Sequence, residues 1–232
     1  MTTIVLLHGW GYDASLWDAV RARLPKHLAV ETLEFGYFGA ERMKVGAEGA
    51  SNGGGPAVGG GVATASTAGT AHSIDLAVGH SLGALWWLTQ APNEWRRLLC
   101  INGFPRFTET SGYAPAIAPR VLSRMQQQFL RDPSAVLAEF HARCGGHAPA
   151  GKPNIERLAT GLDALAEWDG RATLAARRAD VVALAGTHDP IVPAAMSTMA
   201  FGAVEFVDAP GHLLPITHPE LCARWIKRLA NA

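Results

Sequence analysis

No stretch of this 232-residue chain approaches the roughly 20 consecutive apolar residues needed to cross a bilayer. The opening run, Ile4 to Leu7, is short and no basic leader precedes it, so a protein that neither spans a membrane nor is exported is expected. Cysteine is scarce. Cys100, Cys144 and Cys222 are odd in number, widely spaced and free of any Cys-x-x-Cys, which argues against a disulfide framework and a thiolate zinc site and suits a reducing cytoplasm. Excess charge of either sign is missing too, with 20 Lys and Arg against 20 Asp and Glu, so no global field draws the chain to nucleic acid or an anionic membrane. His-Glu-x-x-His, P-loop and dinucleotide fingerprints are absent, and neither a metal nor a nucleotide cofactor is implied.

Large apolar residues are nearly missing from residues 39–71, a stretch of Gly, Ala, Ser and Thr. Such a segment cannot offset the entropy of ordering by core contacts, and it reads as a flexible insert. What the rest contains is a recurrence of short apolar, β-rich runs: Ile4–Leu7, Val30–Phe35, Ile74–Val78, Leu98–Ile101, Val181–Ala185 and Val204–Val207. Several are separated by helical patterns, such as Trp17, Val20, Leu24 and Leu28, the stretch Leu85–Leu88, and Leu221, Trp225, Ile226 and Leu229. That alternation predicts an α/β fold with a mostly parallel sheet of about six strands covered on both faces. From Phe104 to about Arg171 no strand interrupts the helical patterns: one opens at Pro119, one at Asp132-Pro133, one at Asn154. The expected organisation is a core of 1–103 and 172–232 with a helical cap, 104–171, inserted after the fourth strand.

One pentapeptide carries chemistry. Gly79-His80-Ser81-Leu82-Gly83 lies between a strand pattern and a helix pattern, where G-x-S-x-G makes a turn that lifts a strained serine hydroxyl above the sheet. A serine is a weak nucleophile and needs a base held by a carboxylate, in the chain order Ser, Asp, His for this kind of turn. Asp189 stands at the carboxyl end of the run Val181–Ala185, where sites in open α/β sheets gather, whereas Asp180 precedes that run and Asp208 follows the next. His212 follows the last strand on a loop; His188 adjoins the proposed acid, and His218 opens the final helix. Oxyanion donors are expected from the backbone N–H groups of Leu82, at the helix start, and of Trp10, in the loop His8-Gly9-Trp10-Gly11. Trp10, Phe104, Met125 and Phe129 are candidates for an apolar acyl pocket; Trp86 and Trp87 read as core.

These segments resemble the α/β-hydrolase superfamily over nearly the whole chain. LLHGWGYDASLW, GHSLG, IAPRVLSRMQQQFLRDP, GTHDPIVP and APGHLLPITHPELC are similar in particular to the carboxylesterase family of biotin synthesis that acts on the methyl ester of pimeloyl-acyl carrier protein. The resemblance implies a cofactor-independent ester hydrolase with the triad Ser81, Asp189 and His212, backbone donors at Trp10 and Leu82, and an acyl ester substrate, small or borne on an acyl carrier protein. It also implies carrier docking on cap arginines, for which Arg120, Arg124 and Arg131 make a basic face while Ala135 and Glu139 on the next helix do not. Thioesterases and carbon–carbon bond hydrolases share the triad, and a non-catalytic binding protein can share the fold. Two departures stand out: the Gly/Ala-rich stretch replaces a DxxGxGxS-type turn, and the chain opens on what looks like the family's third strand, without the leading hairpin.

Overall fold

The computed structural model of the protein describes residues 2–44 and 73–231. Six strands form one sheet in the order β2-β1-β3-β4-β5-β6, every neighbouring pair parallel. They are β1 (Thr3–Leu7), β2 (Ala29–Leu33), β3 (Ile74–His80), β4 (Trp95–Ile101), β5 (Val181–His188) and β6 (Glu205–Pro210). The predicted α/β class and strand number hold. β1 and β3 lie inside the sheet with helices above and below, so their apolar residues are buried on both faces. This is why they read as continuous apolar runs and not as alternating ones. The chain leaves β1 for β2 on one side and returns to β3 on the other, which opens a crevice between the carboxyl ends of β1 and β3.

The helices are α1 (Asp18–Arg21), α2 (Leu82–Thr89), α3 (Pro119–Arg131), α4 (Pro133–Cys144), α5 (Ile155–Glu167), α6 (Arg171–Ala176), α7 (Ala194–Phe201), α8 (Leu214–Thr217) and α9 (Pro219–Ala230). Three of the four in the region 104–176 start where their caps predict. Pro119 opens α3, the Asp132 carboxylate accepts the N–H of Ala135 at the start of α4, and the Asn154 side chain accepts that of Arg157 at the start of α5. The helical spacing from Trp17 to Leu28 is realised only as one 3-10 turn and the four-residue α1. Pro25 disfavours helical backbone at Leu24, and the helix stops before it. Val121 and Leu130 of α3 are exposed by 52% and 80%. The buried stripe runs through Leu122, Met125 and Phe129, at i, i+3 and i+7, and a position one residue beyond it is turned about 100° away.

Residues 39–44, the beginning of the Gly/Ala-rich stretch, lie against β2: Arg42 bridges Glu34, and Glu41 pairs with Arg157 at 2.7 Å. The remainder of that predicted flexible insert, 45–71, falls outside the described residues. Cys100, Cys144 and Cys222 are buried and unpaired. Among the described residues no helix is long and apolar enough to cross a membrane.

Candidate active site

The first polar residues after the six strands converge at one end of the sheet. β1 is followed by His8, β2 by Glu34, β3 by Ser81, β4 by Asn102, β5 by Asp189, and β6 by Gly211-His212. Ser81 and Asn102 are the only described residues other than glycine with positive φ, at 53° and 47°. For serine this is a strained conformation, held because β3 and α2 meet there at a turn too tight to relax. Gly79 and Gly83 are required by close backbone approach. A Cβ at Gly79 would lie 2.4 Å from the backbone of Ala84, and one at Gly83 would lie 2.4 Å from the carbonyl oxygen of Leu7 in β1. Gly83 therefore clears the neighbouring strand, where sequence reasoning expects only relief inside the turn itself. Gly9 plays the same part across the crevice, since a Cβ there would come within 2.8 Å of Ser81 Cβ.

Asp189 and His212 meet as expected. His212 Nδ1 is 2.7 Å from Asp189 Oδ2, and both side chains are fully shielded from solvent. A carboxylate only accepts, so the proton lies on Nδ1 and the lone pair of the neutral ring on Nε2. That Nε2 atom is buried and makes no hydrogen bond among the described residues. Asp189 Oδ1 accepts the N–H groups of Ile191 (2.8 Å) and Val192 (3.0 Å), and Oδ2 also accepts from Asn102 Nδ2 at 2.6 Å. Burial alone would raise the carboxyl's pKa, but the His212 imidazole and the two N–H groups outweigh it and hold Asp189 below the usual carboxylate range. The rival groups make other contacts: Asp208 and His188 pair with each other, exposed, between β5 and the edge strand β6, Asp180 precedes β5, and His218 stands before α9 without capping it through its side chain.

Three contributors escape sequence reasoning. Asn102 supports the carboxylate. His80 donates from Nε2 to the carbonyl oxygen of His212 at 2.9 Å; its complete burial, with His212 beside it, pushes its pKa down to about 3 and keeps it neutral. His8 and Glu34 form a buried pair at 2.8 Å, and Glu34 also accepts the N–H groups of Ala14 and Gly36. This pair ties the loop after β1 to the end of β2. All three carry one legible signal, that of being a first polar residue past a strand, or the residue beside one.

Leu82 is the first residue of α2, so its N–H has no acceptor within the helix. Trp10 stands in the loop opposite, 2% exposed, with its indole N–H given to Leu158 O of α5 at 2.7 Å and its ring edge-on to Phe129 and Phe140. Of the expected pocket residues, Met125 faces a groove of about 630 Å³ between α3 and α4, with Arg120, Arg124, Val136, Phe140 and Arg143. Phe104 and Phe129 instead close the interior, Phe104 against Phe107 and Phe129 against Trp10. Arg120 and Arg124 stand on that groove. Arg131 is not part of its lining, since seven residues of helix carry it roughly 10 Å past Arg124. Arg143, absent from the predicted basic face, lies there with Glu139.

A strained serine at the crevice, a buried histidine–carboxylate pair at the same end of the sheet and a parallel sheet in this order coincide with what comparison of the whole chain finds: residues 4–225 match the alpha/beta hydrolase family. The chain belongs to that family. Among curated members, the pimeloyl-[acyl-carrier protein] methyl ester esterase of Pectobacterium carotovorum is 30% identical over 83% of this chain and 78% of its own length. The enzyme of the same name from Aromatoleum aromaticum is 30% identical over 95% and 94%. Solved structures share the hydrolase fold at lower identity. An esterase from Exiguobacterium antarcticum superposes with a TM-score of 0.71 at 14% identity, covering 100% of this chain and 92% of that one. A bromoperoxidase from Bacillus anthracis gives 0.70 at 14%, with the same coverage. The hydrolase fold alone therefore leaves the reaction to be argued from the site.

Proposed function

We propose that this hydrolase cleaves carboxylic esters through an acyl-enzyme, with Ser81 as nucleophile, His212 as base and Asp189 as its orienting acid. The observation that carries the reading is the buried 2.7 Å contact between His212 Nδ1 and Asp189 Oδ2, which leaves the Nε2 lone pair free at the end of the sheet where Ser81 stands at positive φ. His212 Nε2 takes the Ser81 hydroxyl proton as Oγ attacks the ester carbonyl carbon. The N–H groups of Leu82 and Trp10 receive the oxyanion, the imidazolium returns the proton to the leaving alcohol, and the ester C–O bond breaks. Water then gives a proton to His212 and attacks the acyl carbonyl carbon, the acyl C–Oγ bond breaks as the imidazolium returns that proton to Ser81 Oγ, and the acid leaves. Asp189 stays ionised throughout and balances the imidazolium. No step calls for a metal or a cofactor.

The substrate reading follows the curated relatives: the methyl ester of pimeloyl-acyl carrier protein, met in the cytoplasm. Residues 104–171 serve as the cap, and its groove supports the reading by offering an apolar floor of Met125, Val136 and Phe140 beneath Arg120, Arg124 and Arg143. An acidic carrier suits that rim.

Turnover of matched methyl esters and thioesters of increasing acyl length, with Ser81→Ala as control, tests the assignment. Esters should be cleaved, and Ser81→Ala should lower kcat by at least about 10³-fold. Preference for thioesters would move the protein to a thioesterase, and full activity of Ser81→Ala would remove Ser81 as nucleophile.

A further inference from the structure

The last turn of α4 touches three of the loops that carry the site, those after β1, β5 and β6. His141 Nε2 is 2.7 Å from the carbonyl oxygen of Gly11, and because a carbonyl only accepts, Nε2 is the donor. Arg143 Nη2 donates to the carbonyl oxygen of Pro190, next to Asp189, at 3.1 Å. The carbonyl oxygen of Cys144 receives the N–H of His212, also at 3.1 Å. Three residues of the helical segment 141–144 thus reach the loops after β1, β5 and β6.

The loops are shaped to receive this turn. Gly11 and Gly211 have φ of 72° and 85°. A Cβ at Gly11 would sit 3.2 Å from the Phe140 ring, and one at Gly211 would sit 2.9 Å from Cys144 O. A glycine in the left-handed region has neighbouring conformations of similar energy, so its peptide needs an external hold. At Gly11 that hold is His141, which is 8% exposed and packed beside Tyr12, with ring centroids 5.3 Å apart. Gly11 is the neighbour of Trp10, whose N–H is assigned to the oxyanion. A shift of about 1 Å in such a donor can cost on the order of 10²-fold in rate.

We propose that residues 141–144 are a clamp spanning the nucleophile's surroundings, and that His141 is a positioning residue which sets the oxyanion loop through Gly11 O. The proposal rests on the ester-hydrolase reading of Ser81. It makes a cap helix part of the scaffold that holds the reacting groups in register, in addition to lining the groove.

The experiment compares His141→Leu, which removes the donor, with His141→Gln, whose amide reaches equally far, using the full chain. Both are measured for p-nitrophenyl ester turnover and for inhibition by an alkyl boronic acid, whose tetrahedral adduct on Ser81 fills the oxyanion position. His141→Leu should lower kcat about tenfold or more with KM within twofold, and weaken the boronate by a similar factor; His141→Gln should recover most of both. Unchanged kcat in His141→Leu, or lost kcat with boronate affinity kept, overturns the proposal. If His141→Leu does not fold, His141→Asn takes its place, since its amide is one bond too short. Retained activity in Ser81→Ala would mark failure of the underlying reading, whereas failure of the clamp leaves Ser81→Ala inactive and the His141 variants at full rate.

Discussion

Asn102 and His212 share one oxygen of Asp189, at 2.6 and 2.7 Å. The carboxylate is thereby fixed from two sides, and the imidazole that leans on it has one available orientation. Asn102→Gly keeps the positive φ that the position demands and removes only the amide. It should cost about 1.5–3 kcal/mol in urea unfolding, the range for a buried hydrogen bond to a charged group, and lower kcat more than it changes KM. Asn102→Asp should be worse on both counts, because it sets a second negative charge beside a buried one.

The glycines around Ser81 make a steric prediction. In Gly83→Ala the new methyl meets Leu7 O at 2.4 Å, against strand backbone that cannot yield, so a loss of roughly 3 kcal/mol or more, or failure to fold, is expected. Gly39→Ala, with nothing within 4 Å, should lie within about 1 kcal/mol of the parent and lean toward stabilisation. Denaturation midpoints of the two variants measure the contrast.

His80 supplies a pH dependence. Its folded pKa, about 3, lies below the ordinary 6.5, so the unfolded chain binds the extra proton between those values. Stability from keeping His80 neutral is complete above pH 6.5 and falls as pH drops toward 3, by about 1.4 kcal/mol per unit. Asp189 and Glu34 act in the same direction lower down, since both carboxyls are held below their usual range and lose their contribution as they protonate. Urea unfolding at pH 7 and pH 5 should show a smaller acid loss for His80→Gln than for the parent, by about 2 kcal/mol. Equal losses would mean that His80 accepts a proton in the fold.

Charge reversal on the cap separates carrier recognition from chemistry. Arg120→Glu and Arg124→Glu should raise KM for a carrier-bound ester about tenfold while kcat on a p-nitrophenyl ester stays within twofold. Arg131→Glu, beyond the groove, should do less. Steady-state kinetics at low and moderate salt give the answer, since an ionic docking face weakens with salt.

The sheet, its strand number and the helix starts were legible because each rests on local rules. Apolar runs, a proline at a first helical turn and side chains that cap N–H groups all act within a few residues. The helical spacing from Trp17 to Leu28 overstates the helix because it runs across Pro25. Val121 and Leu130 lie next to the buried stripe of α3 yet are exposed, a difference that apolar character in the sequence does not show.

The candidate site divides along the same line. Ser81, Asp189 and His212 stood out in the chain because strand-end position and chain order are properties of sequence. Asn102, His80, the His8–Glu34 pair and the last turn of α4 did not, because each matters only through a partner 26 to 132 residues away. Their roles depend on angles between strands and on where α4 ends relative to three loops. Sequence alone determined which groups are candidates to react. Tertiary packing decided which atoms hold them, because hydrogen bonds over a few ångströms link residues whose separation along the chain carries no trace of contact.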